Sequence, residues 1–211
     1  MMEEKIGAFL LSLIFLSFAI SLIPMGYVSY SPTVRTIRFD SCKELAVSLY
    51  VGSVELLRAN GSYPYAMVRG IQVSDLSSGK IAGLVGKLSI YIPDGWDGFL
   101  TIRMGYGSVS LNGVQLKEAS IAMDYGLVSG DLTVLGKVRV ELGAGPVSLI
   151  LSVPSDSEPK VVLHCMRSSL RYDGRVLSGP SFELTLWRGR YPLSIEIRAS
   201  SAELSVLRTK G

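Results

Sequence analysis

The chain has 211 residues, of which 48% are hydrophobic and only 18% charged, against roughly 25% charged in an average soluble domain. That apolar fraction excludes a disordered or highly charged protein, and a net charge of +3 leaves no electrostatic footprint for nucleic acid. Two cysteines and one histidine exclude a cysteine-only four-ligand zinc site, a disulfide-dense scaffold and any multi-histidine metal or proton-relay site.

The first informative segment is Ile6 to Val28, which carries no charged side chain. As a helix it is long enough to cross a bilayer. Two readings compete. A retained anchor uses the whole run and ends in Ser29-Tyr30-Ser31-Pro32. A cleaved signal peptide uses Ile6 to Phe18 as its apolar region and Ala19-Ile20-Ser21 as its cleavage site. The leading Met-Met-Glu-Glu-Lys suits a signal peptide poorly, and the run exceeds the usual apolar region of about 7 to 15 residues, so an anchor is favoured. Residues 1–32 are therefore expected to be a signal-anchor or signal peptide with a short linker, and 33–211 a separate domain.

Counting Lys5 against Arg35, Arg38 and Lys43 would place the C-terminal side in the cytoplasm, but long domains translocate largely regardless of such charges. The composition and the glycosylation sequon at Asn60-Gly61-Ser62 favour a domain outside the cell. The expectation is a single-pass cell-membrane protein with residues 6–28 in lipid, or a secreted one if the run is cleaved. Outside the cell Cys42 and Cys165 could close a loop of about 123 residues, worth roughly 3 to 5 kcal/mol. The alternative is two buried free thiols acting as small apolar groups.

After residue 32 no segment shows a helical period. Leu45 to Leu57 reads as strand, turn at Gly52-Ser53, strand, and Asn60 to Pro64 is a turn-rich loop. Then comes a repeat. Residues 98–116, 117–135 and 136–154 align without a gap at a period of 19. Gly107, Gly126 and Gly145 coincide, followed by Val109, Val128 and Val147, then Ser110, Ser129 and Ser148. In each unit apolar residues alternate with polar ones, as in Leu100, Ile102 and Met104 against Thr101 and Arg103, the period of a half-buried strand.

The columns decide between two topologies. In an antiparallel meander, residues 19 apart would sit two strands apart and not touch. In a parallel coil they stack directly, about 4.8 Å apart, so matching like on like has a packing reason. A right-handed parallel β-solenoid with 19-residue coils is expected, with a β-sandwich as the alternative. Residues 155–211 continue the pattern loosely and read as a degenerate cap or a separate β layer. Within them Arg188-Gly189-Arg190-Tyr191-Pro192 reads as a hairpin turn between alternating strands, and Leu193 to Leu207 as a unit that has lost its glycine.

The series Gly52-Ser53-Val54-Glu55-Leu56, then Lys87 to Pro93, then Gly107-Ser108-Val109-Ser110-Leu111, with the turns at Gly126 and Gly145, resembles the "putative adhesin" family of β-solenoid domains of unknown function, akin to adhesin-head and cell-envelope "toast rack" domains. The resemblance covers about residues 35 to 154. It implies a right-handed parallel β-solenoid displayed from a membrane anchor, and it brings no catalytic residues with it.

Little in the chain supports chemistry. The Gly105-x-Gly107-x-x-Ser110 and Gly143-x-Gly145-x-x-Ser148 patterns lack the third glycine and the helix of a dinucleotide loop. His164 has no G-x-S-x-G elbow to serve, and Cys165 should face the other side of its strand. Asp94 and Asp97 are too few for a calcium cage. No catalytic residue, metal ligand or cofactor is assigned. The candidate ligand face is Tyr106 and Tyr125 at equivalent corners, with Ser110, Ser129 and Ser148 as a hydroxyl ladder. Trp96 and Trp187 could be core residues or an exposed platform. The expected function is a non-enzymatic adhesin-like or envelope-structural protein. Its expected partners are the membrane and a glycan or cell-surface protein. Two alternatives stand beside it: a surface-filament subunit that self-associates through its solenoid end, and a carbohydrate-binding module.

Overall fold

The computed structural model describes residues 34–40, 42–69, 73–75 and 79–209. The apolar run 6–28 lies outside them, and no helix among the described residues is long and apolar enough to cross a membrane. Residues 34–211 form one compact unit.

The ten elements among the described residues are all strands: β1 (Arg35–Arg38), β2 (Glu44–Ala59), β3 (Tyr65–Arg69), β4 (Val73–Asp75), β5 (Lys80–Pro93), β6 (Phe99–Ala144), β7 (Pro146–Pro154), β8 (Ser157–Tyr172), β9 (Arg175–Thr185) and β10 (Tyr191–Thr209). They form a mixed sheet in the order β1-β3-β5-β2-β6-β7-β10-β8-β9, with β4 also on β5. The all-β expectation holds. The sandwich alternative does not, because the layers pair in parallel within one sheet instead of facing each other as two antiparallel ones.

The long strand β6 is extended chain that turns corners and returns upon itself. Backbone contacts inside it fall 19 residues apart: Gly126 lies against the Gly107 carbonyl, Gly130 against Leu111, Gly136 against Lys117 and Gly143 against Asp124. The same spacing continues from β6 to β7, where Val128 pairs with Val147 and Ser129 with Ser148. β2 joins the stack in register, Gly52 opposite Gly107 and Val54 opposite Val109.

Side chains that match in sequence therefore touch in space. One buried column runs Leu88, Val54, Val109, Val128, Val147 and Ala202, each at most 4% exposed. It ends at Ser168, whose hydroxyl donates to the Gly179 carbonyl at 2.6 Å and so enters the core satisfied. The next column inward, Ile90, Leu56, Leu111, Leu149, Leu204 and Leu170, is broken only at Gly130.

The first repeat departs from the others in one respect. Leu132 and Val134 point inward in the second unit and Leu151 and Val153 in the third, but Val114 and Leu116 do so in the first, one residue out of phase. Gly113, at φ 65°, absorbs the extra residue.

Stack order differs from chain order at both ends. β5 pairs with the far edge of β2, and the chain then crosses back so that β6 takes β2's other edge. At the C-terminal end β8 is laid down one layer too far, and β10 fills the gap between β7 and β8. The segment 157–209 holds two further parallel layers plus an edge strand, in line with the separate β layer rather than the cap. The 188–192 turn is not a hairpin: β9 and β10 pair with opposite edges of β8, and the hairpin lies instead at Asp173-Gly174. Alternation alone specifies strands without saying which edge each one takes.

The corner glycines are packed directly against backbone. Gly107, Gly126 and Gly145 have φ of 144°, 152° and 135°. A Cβ on each would overlap the carbonyl oxygen of the glycine one layer back: Gly52, Gly107 and Gly126 respectively. Gly126→Ala should cost roughly 2 to 4 kcal/mol, strain and overlap together. Gly174→Ala, at φ 73° with open space around it, should cost only about 1 to 2 kcal/mol from backbone strain. Chemical denaturation of both variants checks this; equal losses would remove the interlayer contact as the cause.

Candidate functional site

The outward residues of the first half of each coil form a face whose floor is cut away by small side chains. Gly105, Ala122 and Gly143 occupy the three successive repeat layers, and Gly83 lies on β5 beyond β2, where larger residues would close the surface. The result is a groove of about 760 Å³ that crosses the strands from β5, through β2 and the three repeats, to Arg198 on β10. It spans five strand spacings, about 24 Å at ~4.8 Å each.

Tyr50 forms one wall, and its ring leans over Gly105: a Cβ there would come within 3.2 Å of Tyr50 Cδ2. From Tyr50 an aromatic ridge runs along the corner. Tyr50 meets Tyr106 edge-on at 5.8 Å, and Tyr106 stacks on Tyr125 at 5.2 Å with the rings 5° from parallel. All three rings are exposed, at 59%, 44% and 54%. Val51, Leu84 and Val85 extend the ridge toward β5 and are exposed too. Large apolar side chains in contiguous surface contact are uncommon on a soluble face.

The groove's charges are balanced: Arg103 and Arg198 against Asp124 and Glu141. Two of these are already engaged. Glu141 Oε1 accepts from Arg139 Nη2 at 2.6 Å and lies 3.9 Å from Arg198, whose Nη2 reaches Glu196 at 3.1 Å. The hydrogen bond that Arg139 donates to Glu141 and the charge of Glu141, helped by that of Glu196, raise the Arg139 pKa above its ordinary value. Arg139 Nε is buried without a hydrogen-bond partner, the Glu196 carboxylate being 3.9 Å away. This square of charges ties the third repeat directly to β10, the layer filled out of chain order. Arg103 and Asp124, by contrast, enter no ion pair or side-chain hydrogen bond among the described residues.

The expected ligand face is thus divided. Tyr106 and Tyr125 belong to the exposed ridge beside the groove. Ser110, Ser129 and Ser148 line up on the outer side of the following half-coil, in a column that also holds Glu55 and Glu203, and do not line the groove. Asn112 Nδ2 donates to Glu55 Oε1 at 3.0 Å there. Tyr50, Arg103 and Asp124 are additions that the repeat reading passed over. Arg103 was readable as an outward residue of an alternating strand. Tyr50 was not, since it stands one residue out of register with Tyr106.

The other candidates fall outside this face. Asn60 is exposed in the turn after β2. Asp94 is held by Arg58, and no group of three or more metal-ligating side chains occurs among the described residues. His164 is exposed while Cys165, its neighbour, is buried, so the two face opposite sides. Trp96 is half-buried and donates to the Cys42 carbonyl at 3.0 Å. The Trp187 ring lies under Arg208 at 4.1 Å. Neither tryptophan forms an exposed platform.

Of the two readings of the cysteines, the structure has the free thiols, Cys42 half-buried and Cys165 buried. Cys42 sits beside Gly79 and Glu44 at the start of β2, whereas Cys165 lies on β8, with the three repeats and β10 between them. At ~4.8 Å per layer they are far beyond the roughly 7 Å that a disulfide can bridge.

No family model and no curated protein matches this sequence. Among solved structures, the chain is similar to a "putative cell adhesion protein" from Clostridium sporogenes ATCC 15579, with a TM-score of 0.54 and 12% identity over 84% of this chain and 100% of that one. At that identity the likeness is one of fold.

Burial pushes the Cys165 thiol up, so less of it is thiolate at a given pH than in an exposed cysteine. Native protein at pH 8 should alkylate slowly at Cys165 and faster as pH rises, while denatured, unreduced protein should show two reactive thiols by mass spectrometry. A linked Cys42–Cys165 peptide would contradict the layer order.

Proposed function

We propose that the chain is a non-enzymatic, membrane-tethered adhesin-like protein, its domain outside the cell a right-handed β-solenoid that presents a lateral recognition face. The observation that carries this reading is the exposed ridge of Tyr50, Tyr106 and Tyr125 along a groove that crosses the layers. Rings held in register by a stiff backbone lose little freedom on binding, which favours recognition. The fold likeness to a protein described as concerned with cell adhesion supports it further. The tether would be residues 6–28.

A filament built by strand pairing has less support. The outermost strands of the sheet are β1, only four residues long, and β9, which carries Gly179-Pro180 and a register shift against β8. Short edges, proline and irregular register are the features that block edge-to-edge pairing.

The test uses cells displaying the full chain. Fractionation should place it with membranes, and external protease should digest the domain. The Tyr106→Ala/Tyr125→Ala variant should lose about tenfold in adherence, the worth of two aromatic contacts, with its unfolding midpoint within a few degrees of the parent. Adherence retained by that variant would leave an envelope-structural role. A turnover activity abolished by His164→Ala, in a folded domain, would sink the non-enzymatic reading.

A further inference from the structure

We infer that the groove from β5 to β10 takes an uncharged, extended glycan lying across the strands; this rests on the adhesin-like reading and names its ligand. Four observations lead there. First, shape: a groove about 24 Å long and open along its length suits a chain of several sugars better than a single small molecule. Second, backbone chemistry: its floor is the face of a sheet whose N–H and C=O groups are already spent on the neighbouring layers, so an extended peptide would find no main-chain partners there. A polyol needs only side-chain donors and acceptors and flat apolar surfaces.

Third, charge: two guanidiniums and two carboxylates line the groove, so it offers no net attraction to a polyanion. Arg103 and Asp124 have no side-chain partner of their own among the described residues, and planar groups of this kind can hydrogen-bond adjacent hydroxyls. Fourth, the wall: Tyr50 presents its ring over Gly105, inside the groove, where a sugar's apolar face would lie against it. The small residues complete the arrangement. Ala122 and the glycines at 105 and 143 lower the floor between the charged groups, so a ligand can reach down to them.

The experiment is affinity electrophoresis of the full chain in mild detergent, with a soluble β-glucan, a mannan and soluble glycol chitin as neutral polymers, and polygalacturonate as the charged comparison. At least one neutral polymer should retard the chain, and about 0.5 M salt should leave that retardation in place, because no ion pair with the ligand is involved. Asp124→Ala should weaken binding about tenfold through the lost charged hydrogen bond. Ala122→Leu, outward on the floor, should abolish binding by filling it; an unchanged unfolding midpoint shows that the layers persist. Retardation by polygalacturonate alone, lost in salt, would overturn the uncharged-ligand inference and leave adhesion standing. Adherence to cells without retention by any polymer would overturn the glycan and again leave adhesion. Loss of both would overturn both readings. Neutral retention that survives Ala122→Leu would move the site away from this groove.

Discussion

The contact on which the stack depends lies between glycine backbones. At the corner of every repeat the carbonyl oxygen of one layer occupies the space where the next layer's Cβ would be. The column runs from Gly86 through Gly52, Gly107 and Gly126 to Gly145. A side chain anywhere in it would hold two layers apart at the corner, and interlayer hydrogen bonds fall off steeply with distance. Because the corner comes at the same place in each unit, the valines and leucines that follow are delivered into the same buried columns. Core, register and outer faces all descend from that one steric requirement.

The outer faces inherit the same order. A tyrosine just ahead of the corner glycine stacks on its counterpart one layer on because the backbones beneath are superposed. Where the register of like residues slips by one, as at Tyr50, the contact becomes edge-on and the ring swings over the groove. Small outward residues in the preceding half-coil, Gly105 and Gly143 in one column and Ala122 in the neighbouring one, leave a depression between the larger side chains. The groove is therefore a property of the repeat, and its polar lining comes from the positions where the repeat is not kept: Arg103, Ala122 and Glu141 share one column and have nothing in common chemically.

Much of this was legible from residue order. Gly107, Gly126 and Gly145, with the valines after them, reveal both the strands and their parallel stacking, because only direct neighbours have a reason to match. The order of layers at the ends was not legible. Leu193 to Leu207 reads as a strand, but nothing in its alternation says that it lies between β7 and β8 instead of beyond them. The half-coil phase shift at Gly113 was hidden for a different reason: a gap-free alignment conceals one residue gained at a bulge and lost at the next bend. The expected ligand face paired the tyrosines with the serines because both repeat. Repetition marks positions that stack, whereas a site also depends on unlike residues meeting across layers, and the period is silent about those.

The insertion of β10 between β7 and β8 has a mechanical side. A stack built strictly in chain order would end in an outermost coil held along one edge, and a pull on its terminus would detach it one hydrogen bond at a time. Here β10, the last strand among the described residues, is gripped on both edges by parallel neighbours between Ser194 and Val206. Tension on the C-terminal end runs along the strand axis and loads both rows of bonds together, so the strand has to slide out whole. A chain wound in sequence would peel; this one resists as a lap joint does.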